Sequence, residues 1–237
     1  LLRGLIKKDK AALKSVLRSV YERSPEATKP LLRSAYQKVR SYTGGPSDTY
    51  VTSEVDAHPL THLADPTPHF GAVRQKPDYY FFGVIDWHLR HQRPQHLALE
   101  LASKGHRVFY IGSTIVDNSR PGFSAEAIDP LLPVFNIELH AAGAPIIYFG
   151  PPSNDELTQL RCSIGQLLEK ADTQRVVAIV QHPFWTDIAA ALPNSRVIYD
   201  CMDHHDGFDN TAKEIIDLER RLFKEADLTI TPSSWLD

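Results

Sequence analysis

The sequence predicts an α/β protein: a doubly wound, mostly parallel Rossmann-like sheet preceded by a basic helical segment. Three observations predict it. From Tyr79 onward, short apolar runs of strand length alternate with longer amphipathic runs of helical period. The central runs, such as YYFFGVI and VVAIV, are near-continuously apolar, as strands covered on both faces are. Charge is also divided along the chain. Residues 1–45 carry eleven Lys and Arg against Asp9, Glu22 and Glu26, a net +8, which leaves −11 for the rest of a chain whose total is −3.

Residues 1–42 read as two basic helices. Leu5, Leu13, Val16, Leu17, Val20 and Tyr21 recur at helical spacing with Lys7, Lys10, Lys14 and Arg18 between them. Ser24-Pro25 breaks the pattern. A second stripe of Leu31, Leu32, Ala35, Tyr36 and Val39 begins at Lys29 or Pro30. Residues 43–77 read as an irregular linker, with Gly44, Gly45, Pro46, Pro59, Pro66, Pro68 and Pro77 among polar residues. Residues 78–237 read as the sheet domain.

Within that domain YYFFGVIDW (79–87) is the first buried strand, and a helix runs from Pro94 to Lys104 with Gly105 as its stop. RVFYIG (107–112) is the second strand. NIELHAA (136–142) and PIIYFG (145–150) are short strand candidates. Asn154 to Ala171 is a helix capped by Ser153. RVVAIVQ (175–181) is a strand, Phe184 to Leu192 a helix, and SRVIYD (195–200) a strand. Thr211 to Ala226 is a helix and LTIT (228–231) the last strand.

In a doubly wound sheet, ligands bind outside the carboxyl ends of the strands, so the loops there hold the candidate residues. The loop after the first strand carries Trp87, His88, Arg90, Arg93 and Gln95 just before a helix N-terminus, an arrangement suited to anions. Trp87 offers a plate for a sugar ring. The alternative is that Trp87 is core and the arginines are solvated or paired to Asp86. The loop after SRVIYD carries Asp200, Asp203, His204, His205 and Asp206, three carboxylates and two imidazoles. Acid/base work on an acceptor hydroxyl, acceptor binding, structural capping and a metal site all fit that composition. His182, ending the strand before Pro183, lines the cleft or is a structural histidine. Ser233 caps a following helix.

Other classes are excluded or disfavoured by what the sequence lacks. G-x-G-x-x-G is absent, as is a Tyr-x-x-x-Lys pair, which argues against a nicotinamide enzyme or an epimerase. No basic stripe interleaved with aromatics runs into the main domain, so nucleic acid is not an expected partner. Two cysteines, Cys162 and Cys201, make no disulfide framework and point to a reducing compartment. No apolar run reaches about 18 residues, the length of a membrane span, and LLRGLIKKDK lacks the apolar core of a signal peptide.

The motifs W-x-x-R-x-Q-R-P-Q-H-L-A (Trp87 to Ala98) and G-H-R-V-x-Y-I (Gly105 to Ile111) resemble the start of bacterial family-4-like GT-B glycosyltransferases. V-I-Y-D-C-M-D (Val197 to Asp203) and A-D-L-T-I-T-P-S (Ala226 to Ser233) fit the same proteins, often associated with rhamnan, O-antigen or capsule synthesis. The resemblance covers residues 79–237. It implies the acceptor-side, N-terminal domain of a two-domain enzyme, with the nucleotide-sugar held by a C-terminal domain that this chain lacks.

The expectation is therefore a glycan acceptor as partner and Asp203 as the carboxylate meeting its hydroxyl, with Asp200 and His182 as rivals. Trp87, His88, Arg90, Arg93, Gln95 and His204 would bind substrate. No cofactor or metal is expected on this fragment, which alone should be inactive. The setting expected is the cytoplasm, with residues 1–42 against anionic lipid at the inner face of the membrane. The alternative is a non-catalytic glycan- or protein-binding module of a multidomain polysaccharide-synthesis protein.

Overall fold

A computed structural model describes residues 67–71, 75–203, 205–208 and 211–232. The two expected N-terminal helices, most of the expected linker, His204 and Ser233 lie outside the described residues. The unit that holds the sheet begins at Ala64, ahead of the boundary expected at residue 78. Phe70 supplies a physical reason: it is buried in the core, edge-on to Phe109 at 5.2 Å and to Phe135 at 4.9 Å.

The elements are β1 (Asp78–Phe82), α1 (Arg93–Ser103), β2 (Val108–Asp117), β3 (Gly122–Ala127), β4 (Val134–Ala141) and α2 (Asn154–Lys170), followed by β5 (Val176–Val180). A 3₁₀ turn (Pro183–Trp185) runs into the short helix α3 (Thr186–Ala189). Then come β6 (Ser195–Asp200), a second 3₁₀ turn (His205–Gly207), α4 (Lys213–Glu225) and β7 (Leu228–Ile230). The sheet has seven strands in the order β3-β4-β2-β1-β5-β6-β7. Only the β3–β4 pair is antiparallel. With β3 set aside, this is the doubly wound order, and the direction of winding reverses between β1 and β5. No helix among the described residues is long and apolar enough to cross a membrane.

Alternation along the strands feeds two cores. Tyr80 and Phe82 point to the face covered by α2, α3 and α4, where they join Leu160, Ile164, Trp185, Ile215 and Leu222. Phe81 points the other way, joining Trp87, Tyr110, Ile179 and Ala98 and Ala102 of α1. Each large apolar side chain removed from water in this way contributes roughly 1.5–3 kcal/mol.

Local signals place the helix ends. Gln92 precedes α1, its amide donating to Gln95 Oε1 at 3.0 Å, and Gly105 turns the chain at φ +85°. Ser153 and Glu156 form a capping box at α2: the Ser153 amide donates to Glu156 Oε2 at 2.7 Å.

Four expectations change. The first strand stops at Phe82, and residues 83–87 are loop. β2 runs on to Asp117, with its register to β4 shifting between Ile111 and Ile115. PIIYFG (145–150) is not a strand: Gly143 and Ala144 turn the chain at φ +82° and +41°, and Tyr148 donates to the carbonyl of Val84. The helix expected over 184–192 is a 3₁₀ turn plus four residues of α-helix. β3 was not expected, because GFSAEA has few apolar residues and lies at the edge of the sheet.

Candidate functional site

In a doubly wound sheet the ligand crevice lies outside the carboxyl ends of the strands where the winding reverses, here between β1 and β5, and polar side chains follow the strand ends there. Asp86, after β1, is held by β2: its carboxylate accepts the Thr114 amide at 2.8 Å, the Thr114 hydroxyl at 2.6 Å and the Ser113 hydroxyl at 3.1 Å. Asp86 is thus tied to β2, and neither arginine of the loop is its partner. The bond explains Gly112, where a Cβ would lie 2.7 Å from Asp86 Oδ1.

Asp200, at the end of β6, is completely buried. Its Oδ1 accepts from Arg93 Nη1 at 2.5 Å and its Oδ2 from Gln181 Nε2 at 2.9 Å. A carboxylate this deep is stable only when paired and hydrogen-bonded, and both its oxygens are occupied. Asp200 is therefore a brace that joins the start of α1 to the ends of β5 and β6. The Arg93 side chain remains 37% exposed, so the fork is pinned at one end and open at the other. Gln181 Oε1 is buried without a hydrogen-bond partner.

His182 follows Gln181 and is only 4% exposed. Its Nδ1 accepts the Phe184 amide at 3.2 Å, so the ring proton sits on Nε2. Nε2 has no hydrogen-bond partner among the described residues. Burial, and secondarily His205, push the ring's pKa down to about 3, so the imidazole is neutral near pH 7. Tyr148 stands against it, ring centroids 5.4 Å apart and 80° between planes. Burial foremost, then the charge of Asp86, hold the Tyr148 phenol well above its ordinary range. Asp203 is exposed, and its carboxylate has no hydrogen-bond partner among the described residues.

The expected site residues thus divide. Arg93 and Asp200 meet at the carboxyl ends of the strands, His182 follows β5 there, and Asp203 follows β6. Trp87 does not present a plate: it is 7% exposed, edge-on to Tyr110 at 5.0 Å, and belongs to the core. Gln95 is buried, its Nε2 donating to the Arg90 carbonyl at 2.8 Å, so both ends of its amide hold the loop. Arg90 itself is exposed. His88 lies 2.7 Å from Glu126 of β3, away from the crevice.

Gln181 and His205 stand in the strand-end loops beside the expected residues, while Tyr148 and Glu219 belong to the site's surroundings and were not foreseen. Glu219 carried a legible signal: it stands four residues after Ile215 and three before Leu222, on the apolar stripe of α4.

No family model matches the chain, and neither a curated protein nor a solved structure matches it.

Proposed function

We propose that this chain is the acceptor-side half of a GT-B glycosyltransferase that moves a sugar from a nucleotide-sugar to a surface polysaccharide or related glycan. One observation carries the reading. The two most distinctive stretches of the family resemblance, R-P-Q-H-L-A and Y-D-C-M-D, stand far apart in the chain, yet the Arg93–Asp200 bond joins them at the crevice. Stretches that meet at a strand-end crevice share a site, where stretches kept for packing alone need not meet.

The chemistry is consistent with a hydroxyl-rich ligand. Such a ligand needs a few donors and acceptors in fixed directions. Here they are the open end of Arg93, the N–H of neutral His182 and the free carboxylate of Asp203. In this reading Asp203 takes the proton from the acceptor hydroxyl as its oxygen bonds to the donor's anomeric carbon and the bond from that carbon to the nucleotide phosphate breaks, the nucleotide leaving with the electron pair. His182 and Arg93 hold neighbouring oxygens, and Asp200 keeps Arg93 in place. The nucleotide-sugar is bound by a C-terminal partner domain, and this chain alone transfers nothing. The cytoplasmic face of the membrane suits a chain whose first 42 residues are strongly basic.

The test is sugar transfer by a protein that joins this chain to its nucleotide-sugar-binding domain. A panel of nucleotide-sugars and host glycan would be assayed for wild type and Asp203→Ala. Transfer by the wild type and a loss of about 100-fold or more in the variant is the expected result, the scale of one general acid–base group. No transfer with any donor would overturn the enzyme reading and leave a glycan- or protein-binding module.

A further inference from the structure

Behind the crevice lies a buried polar train that the proposed chemistry does not touch. Glu219 is as buried as Ile215 and Leu222 on the same stripe of α4. Its Oε1 accepts the Tyr199 hydroxyl at 2.5 Å and lies 2.7 Å from His205 Nδ1. The carboxyl is the acceptor in both bonds, so His205 carries its proton on Nδ1. The His205 ring in turn meets His182 edge to face, centroids 5.0 Å apart and planes at 82°. His182 also meets Tyr148, whose hydroxyl donates to the carbonyl of Val84. Two rings, each anchored by its own hydrogen bond, thus stand against His182.

An apolar residue at position 219 would pack on the α4 stripe without the desolvation cost of a carboxyl. What the carboxyl adds is a fixed direction for the His205 ring. We propose that Glu219 and His205 are positioning residues: Glu219 fixes the His205 ring as a wall against His182, so that His182 presents Nε2–H to a ligand oxygen. The inference rests on the reading of the crevice as a binding site. Among the described residues, the rings that meet His182 are Tyr148 from the loop after β4 and His205 from the turn after β6, with Glu219 of α4 bonded to His205.

The experiment is long-range ¹H–¹⁵N spectroscopy of the histidine rings in the ¹⁵N-labelled 237-residue protein between pH 4 and 8, a range that reaches the midpoint expected for the opened variants, with His182→Gln assigning the His182 signals. The wild type should show His182 as a single Nε2–H form that does not titrate. His205→Ala opens the wall to water, and the His182 midpoint should rise by about one pH unit or more, because burial is the main cause of its depression. His205→Phe restores a ring and should restore the silent form. Glu219→Leu keeps the helix packing but frees His205, which should lose its single tautomer while the His182 midpoint rises.

A His182 that stays silent in Glu219→Leu and in His205→Ala, or that titrates in His205→Phe as it does in His205→Ala, would overturn the proposal. Amide spectra report whether each variant folds. If His205→Ala does not, Glu219→Leu and His205→Phe decide alone. No ligand is needed, so failure of the wild type to bind glycan would count against the crevice reading and not against this arrangement.

Discussion

The two edges of the sheet handle buried polar groups in opposite ways. At the amino edge, Arg107 and Asp78 form an ion pair that is almost fully buried. Arg107 Nε donates to Asp78 Oδ1 at 2.9 Å, Nη2 donates to Asp78 Oδ2, and Nη1 reaches the Ala171 carbonyl at 2.9 Å. Thr173 donates to the same carboxylate at 3.0 Å, and the Tyr80 hydroxyl lies 2.8 Å from that of Thr173. Every group has a partner. At the carboxyl edge, Gln181 Oε1 is buried alone, His182 Nε2 has no partner among the described residues, and Arg93 is pinned at one end only. Closed networks hold a fold together, whereas groups left open at a strand-end crevice are available to a ligand.

Breaking the amino edge should cost the most. Asp78→Ala leaves Arg107 buried and uncompensated, and the account expects a loss of about 3–5 kcal/mol in urea denaturation. A loss below about 1 kcal/mol would show that this edge is not the anchor. The next effect comes from acid. The folded value for His182, about 3, lies below its ordinary 6.5. As pH falls the unfolded chain therefore takes up the proton first. The stability contributed by neutral His182 is present above about pH 6.5 and is lost toward pH 3, at about 1.4 kcal/mol per unit. Between pH 6.5 and 5 the wild type should lose about 2 kcal/mol more than His182→Gln, and equal losses would contradict the buried neutral ring.

Gly112→Ala sets a methyl group 2.7 Å from Asp86 Oδ1, and about 1–3 kcal/mol of destabilisation is expected in thermal melts. Ser153→Ala removes one side of the α2 capping box and should cost about 1 kcal/mol. Smallest of all, Asp203→Ala should leave stability within about 0.5 kcal/mol of wild type, because the exposed carboxylate holds nothing in the fold. A large loss there would erase the contrast between the edges.

The sequence made the fold legible where a run has one job. RVVAIVQ is mostly apolar because neighbouring strands and helices cover it, SRVIYD is apolar at its centre, and they became β5 and β6. Ser153 and Gly105 ended helices because their local chemistry decides that alone. PIIYFG misled because apolar character does not require a ladder. Ile147 is buried, Tyr148 reaches Val84, and Phe149 stays 52% exposed, all from a turn.

The crevice was legible in part, since strand ends and polar runs mark it. Its closure was not, because the Arg93–Asp200 and His182–His205 contacts join residues that only the sheet order brings together. Trp87 was misplaced for a related reason: its ring turns inward onto Tyr110, and composition does not reveal direction. Arg107 looked like the start of a strand, and its ion pair became visible only once β1 and β2 were paired.

The central claim is that the carboxyl edge binds saccharide and the amino edge does not. It is tested most directly by titrating the ¹⁵N-labelled chain with oligosaccharides from the candidate glycan and following amide and histidine signals. The account predicts saturable shifts at His182, Asp203 and Arg93, an unchanged Arg107, and affinity weakened about tenfold or more by Asp203→Ala, the cost of one charged hydrogen bond to the ligand. Shifts centred on Arg107 and Asp78, or saturable binding unaffected by Asp203→Ala and His182→Gln alike, would contradict it.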